Sequence, residues 1–313
     1  MKKISVILPC YNSESFLDEL CSRLKEAIKS AGFEYEILLI NDHSPQNDWE
    51  CICRIAKNDF NVKGISFAKN KGQHTAIYAG IEFACGDYIC VMDADLQDPP
   101  EEIPNLIEEL ERKKTEIVFA RRKNRKDSWL NRLTSSVFYK SLSYFTGEKL
   151  DPNVANYCMF TKKTQISLLK IKEIRKFLPV MLRWTGLRFT YLNFEHRERA
   201  EGKSNYNFYS RLKLAIDILT YYSNRPLNML IKFGALLAFA SSLLAVYIVV
   251  RTILEPATVP GWASIFTLVS FLGGCNIAFL GFLGLYVGNI FDEVKNRPQY
   301  IVDTCANIDR DKN

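Results

Sequence analysis

The stretch "YICVMDADLQDPPEEIP" (88–104) decides the fold. Five apolar residues, Tyr88–Met92, lead directly into Asp93, Asp95 and Asp98, and two prolines follow. A short apolar run closed by turn residues reads as a buried strand, and "PPEEIPNLIEELE" after it reads as a helix. Carboxylates at the end of a buried strand are costly unless a cation sits among them. The same strand-then-helix rhythm runs outward in both directions. "ISVILP" (4–9), "YEILLIN" (35–41), "KGISFA" (63–68) and "EIVFA" (116–120) read as further strands. Between the first two, Phe16, Leu20, Leu24 and Ile28 recur every fourth residue, and Gly32 stands where a helix C-cap is expected. The expectation is an α/β domain with a mostly parallel sheet flanked by helices. Its Asp-rich loop would lie at the sheet edge where open α/β folds bind ligands. Hard oxygen donors of this kind suit Mg²⁺ or Mn²⁺ better than zinc. An Asp-x-Asp pair alone is also what an acidic loop or a helix N-cap looks like. The strand before it, the helix after it and basic clusters elsewhere favour a diphosphate site.

Composition excludes several classes. The 313 residues are 48% hydrophobic and carry a formal charge of +6, too weak for nucleic acid to be the expected partner. The nine cysteines show no C-x-x-C spacing and read as small buried hydrophobes in a reducing compartment. "MKKISVILPCYN" is too short in its apolar part for a signal-peptide core, so the first domain is expected in the cytosol. No G-x-G-x-x-G follows the first strand, and the dinucleotide fingerprint is absent.

The C-terminal third is different material. Residues 233–250 are 18 in a row without a charge, and 256–291 are 36, broken by Pro260, Gly261 and Trp262. About 20 apolar residues cross a bilayer, so two spans are expected, with a buried core hairpin as the alternative. Arg211, Lys213, Arg225 and Lys232 precede the first, and Lys295 and Arg297 follow the second. The positive-inside rule then puts both termini and the large domain in the cytosol, at the cytoplasmic membrane. Phe208, Leu212, Ile216 and Leu219 form an apolar stripe opposite Arg211, Lys213 and Asp217, which suits an interfacial amphipathic helix. The expected domains are 1–205, the interfacial helix 206–226, a two-helix transmembrane hairpin 227–292 and a cytosolic tail 293–313.

Taken in order, "VILPCYN", "LLINDHS", "NKGQHTAIYAG" and "DADLQDPPEEIP" resemble glycosyltransferase family 2 enzymes of the GT-A fold. The two apolar runs, "RKDSW" (125–129) and "HRERAEGKSNYNF" (196–208) narrow the resemblance to polyprenyl-phosphate glycosyltransferases, the group that includes dolichol-phosphate mannose synthases. "GQH", "DLQDPPEEIP" and "DSW" are most similar to the bacterial transferases that load formamido-arabinose onto undecaprenyl phosphate.

The resemblance implies a nucleotide-sugar pocket lined by Pro9, Tyr11, Asn12, Glu14, Asp42, Gln73, Asp93 and Ala94. It implies that Asp42 holds the base or ribose and that Asp95 and Gln97 bind the metal across the diphosphate. Asp93, Asp95 and Asp151 are the implied catalytic residues. Without the family, Asp42 reads as an N-cap, and Gln73 and His74 as the start of a helix. The cluster Arg121, Arg122, Lys123, Arg125, Lys126 and Arg132 reads by charge alone as a solvated face. Its place before a membrane segment points instead to a lipid phosphate, which arginine grips bidentately. Arg125, Arg132, Ser136, Arg199 and Lys203 are the acceptor-phosphate candidates. Relatives carry lysine after the serine of "G-x-S-K-Y", whereas this chain has Asn205 there and Lys203 two positions earlier. "LDPNVANYCMF" has Ala155 and Asn156 where relatives often carry an acidic residue.

The implied reaction is inverting transfer of a sugar from a nucleotide sugar, UDP-sugar favoured, to undecaprenyl phosphate at the cytosolic membrane face, for modification of a cell-envelope glycan. Two alternatives stand beside it: a saccharide acceptor, and a non-catalytic membrane protein with a degenerate transferase domain. Self-association as a homo-oligomer is compatible with these features.

Overall fold

A computed structural model describes residues 1–123, 143–144, 147, 151, 153–174, 176–195, 225–254 and 261–308. These fall into two compact units. The first holds the described residues up to 123, those from 151 to 195 and those from 297 onward; the second holds the long C-terminal helices.

The first unit is built on one eight-stranded sheet. Its strands are β1 (Lys3–Cys10), β2 (Glu34–Asn41), β3 (Val62–Phe67), β4 (Tyr88–Val91), β5 (Ile117–Lys123), β6 (Val154–Thr161), β7 (Phe189–Glu195) and β8 (Val302–Ala306). The spatial order is β7-β5-β6-β4-β1-β2-β3-β8. The centre, β4-β1-β2-β3, is parallel throughout. The antiparallel pairings are β4 with β6, β5 with β6, and β3 with β8, so the sheet is mixed rather than simply parallel. The helices are α1 (Glu14–Ser30), α2 (Asp48–Asn58), α3 (Gln73–Phe83), α4 (Ile103–Lys113), α5 (Lys162–Leu169) and α6 (Leu178–Trp184).

Strand alternation produces two cores. Ile4, Val6 and Leu8 of β1 share a buried cluster with Leu17, Leu20 and Leu24 of α1 and with Leu106 and Leu110 of α4. On the other face Ile7 joins Ile77 and Ile81 of α3 and Leu178 of α6. Every second residue therefore faces a different helical layer, and both faces are covered, as a parallel sheet requires. Gly80 allows α3 to lie directly on β1, since a Cβ there would come 2.3 Å from Ile7. The turn after α1 is made by Gly32 at φ +77°, the left-handed residue the sequence places there.

One boundary differs from the sequence expectation. Residues 302–306 are not a plain tail: β8 pairs antiparallel with β3, matching Gly64 with Ala306 and Phe67 with Val302. A five-residue strand without apolar alternation carries too weak a signal to be read after a membrane segment.

The second unit contains α7 (Arg225–Leu254) and α8 (Trp262–Val294). Segments Arg225–Leu243 and Phe271–Val294 are long and apolar enough to cross a membrane, with mean hydropathy 1.4 and 1.7. Neither segment is buried inside the protein, which separates them from core helices. Leu236, Phe239, Leu280 and Val287 are each more than 60% exposed, an arrangement that water would penalise and hydrocarbon would not. The expected interfacial helix, apart from Arg225 and Pro226, lies outside the described residues.

Candidate active site

The candidate donor-site residues all stand at one edge of the parallel centre. Pro9 is the next-to-last residue of β1, and Tyr11, Asn12 and Glu14 follow the strand; Asp42 follows β2; Gln73 opens α3 after β3; Asp93 and Ala94 follow β4. Four parallel strands thus deliver residues from four distant parts of the chain to the same edge.

Hydrogen bonds join these pieces laterally. Asp42 N–H donates to Cys10 O at 3.1 Å, and Asn12 N–H to Ser44 Oγ at 3.1 Å, which ties the loop after β1 to the loop after β2. Asn12 sits at φ +56° and His43 at φ +54°, a conformation that asparagine and histidine tolerate better than most residues. The Asp42 carboxylate is buried and accepts from Lys71 N–H and Gly72 N–H, each at 2.7 Å. In this structure it holds the loop before α3. Gln73 then donates from Nε2 to Asp93 Oδ1 at 2.6 Å. Asp48, fully buried, accepts from Ser13 N–H and Glu14 N–H and so caps α1 from a different helix.

The loop after β4 is wound tightly. Leu96 takes φ +60°, and Asp95 Oδ1 accepts from Gln97 N–H at 3.2 Å in an Asx turn. Asp98 is fully buried, receives Asp93 N–H at 3.4 Å, and lies 3.7 Å from Arg122 Nη2. Tyr157 closes the loop by donating from its hydroxyl to Pro99 O at 3.0 Å. Burial and the neighbouring Asp95 charge push the Asp93 carboxyl above the usual range, while Arg122, Asn156 and Gln73 pull it back. Burial and the Asp93 charge push Asp98 up in the same way, opposed by Arg122. Among the described residues this edge gathers Asp93, Asp95 and Asp98 beside Arg122, and a cation there would lower the energy of the carboxylates. Asp95 and Gln97 offer the hard oxygens such a cation needs. Among the described residues, no three His, Cys, Asp or Glu side chains converge on one metal position. A cation held by Asp95 and Gln97 would complete its shell with other oxygens.

Asp151 is placed differently. It pairs with Arg121 Nε at 2.9 Å and accepts from Asn153 N–H at 2.9 Å. Arg125, Arg132, Ser136, Arg199 and Lys203 lie outside the described residues. Sequence reasoning named Asp98 only within the acidic run, Arg122 only within the basic cluster and Asn156 only as a departure from relatives, yet all three touch the Asp93 network. Asp98 was within reach, since it stands in the same acidic run. Arg122 was hidden in a basic cluster, and Asn156 became visible only when β6 was seen to lie beside β4. His74 packs edge-on against Phe177 at 5.1 Å, and burial holds its pKa down to about 4.

The solved structure of glucosyl-3-phosphoglycerate synthase from Mycobacterium tuberculosis, in complex with Mn²⁺, UDP and phosphoglyceric acid, superposes with a TM-score of 0.51 at 15% identity. The match covers 70% of this chain and 77% of that one. The likeness is one of GT-A fold. An uncharacterized glycosyltransferase of Synechocystis is 31% identical over 301 residues, 96% of this chain and 94% of its own length. The undecaprenyl-phosphate 4-deoxy-4-formamido-L-arabinose transferase of Shewanella sediminis is 34% identical over 302 residues, 96% of this chain and 91% of its own. The family model for Glycosyl transferase family 2 matches residues 5–166, from the second residue beyond the start of β1 to the middle of α5 and across the whole acidic edge; the chain belongs to that family.

Proposed function

We propose that the protein moves a sugar from a nucleotide sugar, with UDP the favoured nucleotide, to a polyprenyl phosphate such as undecaprenyl phosphate. The observation that carries this reading is the grouping of Asp93, Asp95 and Asp98 at the end of β4 in a chain that also bears two membrane-length helices. The full-length similarity to a transferase named for undecaprenyl phosphate supports the acceptor class.

In this reading Asp95 and Gln97 would hold Mg²⁺ or Mn²⁺, which would supply positive charge to the leaving diphosphate. Asp93, kept in place by Gln73 and Asn156, faces the nucleotide sugar with Ala94, and Pro9, Tyr11, Asn12, Glu14 and Asp42 shape the nucleotide end. A phosphate monoester, with second pKa about 6, is already ionised near neutral pH, so the acceptor oxygen attacks the anomeric carbon without a protein base. The ion pair between Asp151 and Arg121 fits that view, since it engages the carboxylate in a contact within the protein. Attack in line inverts the anomeric centre. Arg125, Arg132, Ser136, Arg199 and Lys203 are the proposed acceptor-phosphate contacts.

The membrane assignment gains support from β8. A strand that follows α8 and pairs with β3 supports a topology in which the chain on either side of the two helices lies on one side of the bilayer. Basic flanks make that side the cytosol. The proposed organisation is a cytosolic catalytic domain of residues 1–205 with the returning segment 297–308, an interfacial helix over 206–226 and a membrane hairpin over 227–292.

The test is a panel of labelled nucleotide sugars offered to the purified full chain with undecaprenyl phosphate or with oligosaccharides. Label entering an organic-soluble product, dependent on the lipid phosphate, is the expected outcome. Label entering only saccharide would replace the acceptor class, and no transfer from any donor would mean a non-catalytic chain.

A further inference from the structure

The segment after α8 grips β3 at both ends. At the start of the strand, Asn307 donates from Nδ2 to Ala56 O at 2.7 Å, Val62 O at 2.8 Å and Asp59 O at 3.3 Å, gathering the carbonyls where α2 turns into β3. Along the strand runs the β8 ladder, with an irregularity between Ser66 and Phe67. At the far end the Tyr300 ring stacks on Phe67, centroids 4.8 Å apart and planes 20° apart. Ile301 O accepts from Ala68 N–H at 3.0 Å, and the Tyr300 hydroxyl donates to Glu82 of α3. Gln299 Nε2 adds a bond of 2.9 Å to Glu173 O.

Ala68 is the first residue after β3, where the loop that leads to the donor edge begins. Beyond it, Lys71 and Gly72 hang on Asp42, and Gln73 reaches Asp93. A loop of this kind has one end set by α3 and the other by the end of β3. With β8 removed, β3 becomes an edge strand whose terminal residues are free to fray. We infer that the segment Gln299–Asn307 is a positioning element of the donor site, with Tyr300 its principal residue: it fixes the end of β3 and thereby the loop that presents Gln73 to Asp93. The inference rests on the nucleotide-sugar reading of that edge and adds to it a region from the opposite end of the chain.

The test uses the full chain in lipid nanodiscs, comparing wild type, Tyr300→Phe and Tyr300→Ala. Amide exchange is the first readout. Tyr300→Ala is expected to speed exchange at Lys71 and Gly72 about tenfold while β1 amides stay unchanged, and Tyr300→Phe, which keeps the stacked ring, is expected to remain near wild type. Kinetics are the second. Tyr300→Ala is expected to raise the KM for nucleotide sugar roughly five- to tenfold, with the KM for polyprenyl phosphate within about twofold. Should Tyr300→Ala fail to fold, Tyr300→Leu keeps an apolar contact and replaces it. Faster exchange confined to residues 299–308, or equal kinetic loss toward both substrates, would overturn the inference. The exchange readout needs no turnover, so a chain inactive on every nucleotide sugar would defeat the proposed function while leaving this assignment to be judged on the amides of Lys71 and Gly72.

Discussion

Gln73 Nε2 donates to Asp93 Oδ1 at 2.6 Å, joining the first turn of α3 to the end of β4 across the sheet edge. The bond links a neutral donor to a carboxylate in a crowded acidic loop, where such bonds are worth roughly 1.5–3 kcal/mol. Gln73→Ala is expected to lower kcat/KM for the nucleotide sugar about 10- to 100-fold with little change in unfolding midpoint, because Gln73 is exposed. Steady-state kinetics with a chemical denaturation curve measure both. Wild-type kcat/KM in this variant would show that the bond does not set Asp93.

Asp42 is predicted to act first through the backbone. Its two oxygens satisfy two loop amides at 2.7 Å, so Asp42→Ala is expected to cost about 2 kcal/mol of stability and Asp42→Asn, which keeps one acceptor, about 1 kcal/mol. Urea unfolding of the two variants gives the difference. A loss of nucleotide affinity in Asp42→Asn without any loss of stability would assign the carboxylate to the base or ribose instead.

Glu36 provides a pH test away from the site. It is almost fully buried on β2, where burial alone would push its carboxyl up. The Cys85 N–H at 2.9 Å, Lys63 Nζ at 2.6 Å and the Ser5 hydroxyl outweigh that and hold it below the ordinary value. A carboxyl whose pKa is lower in the folded state stabilises the fold above its unfolded value, about 4.3, and loses that contribution as pH falls through the folded value. Glu36→Gln is expected to cost roughly 1–3 kcal/mol at pH 7, with the gap from wild type narrowing below about pH 4. Unfolding free energies measured from pH 7 down to pH 3 check the sign. A gap that widens on acidification would contradict it.

The proposed sidedness is open to a labelling test. In a background without native cysteines, Phe60→Cys, 79% exposed in the first unit, and Gly261→Cys, between α7 and α8, are expected to react with an impermeant thiol reagent from opposite sides of the bilayer. Labelling of both from the outside of intact cells would show that the two helices do not form a spanning pair.

The centre of the fold was legible because its signals are local. The apolar runs of β1 to β4, the four-residue period of α1 and Gly32 each depend on neighbours within a few positions. Residues 154–161 were less so: β6 enters between β4 and β5 and brings Asn156 to Asp93, a placement set by a long-range pairing. β8 was missed for the same reason, since its partner β3 lies at the other end of the chain. Within the site, the acidic run could be read from residue type and spacing. The Asp98–Arg122 pair could not, because it exists only once β5 carries Arg122 to within 3.7 Å of Asp98.

The most direct measurement is transfer of label from a UDP-sugar into the organic phase by the full chain with undecaprenyl phosphate and Mg²⁺ or Mn²⁺, for wild type and Asp95→Asn. Asp95 lies in a loop beyond β4, so the variant should fold, yet loss of the proposed metal ligand should remove several kcal/mol of transition-state stabilisation. The account predicts lipid-dependent product from wild type, its loss on chelation, and turnover at least about 100-fold lower in Asp95→Asn. Near-normal, chelator-insensitive turnover in Asp95→Asn, or product formed equally well without the lipid phosphate, would contradict it.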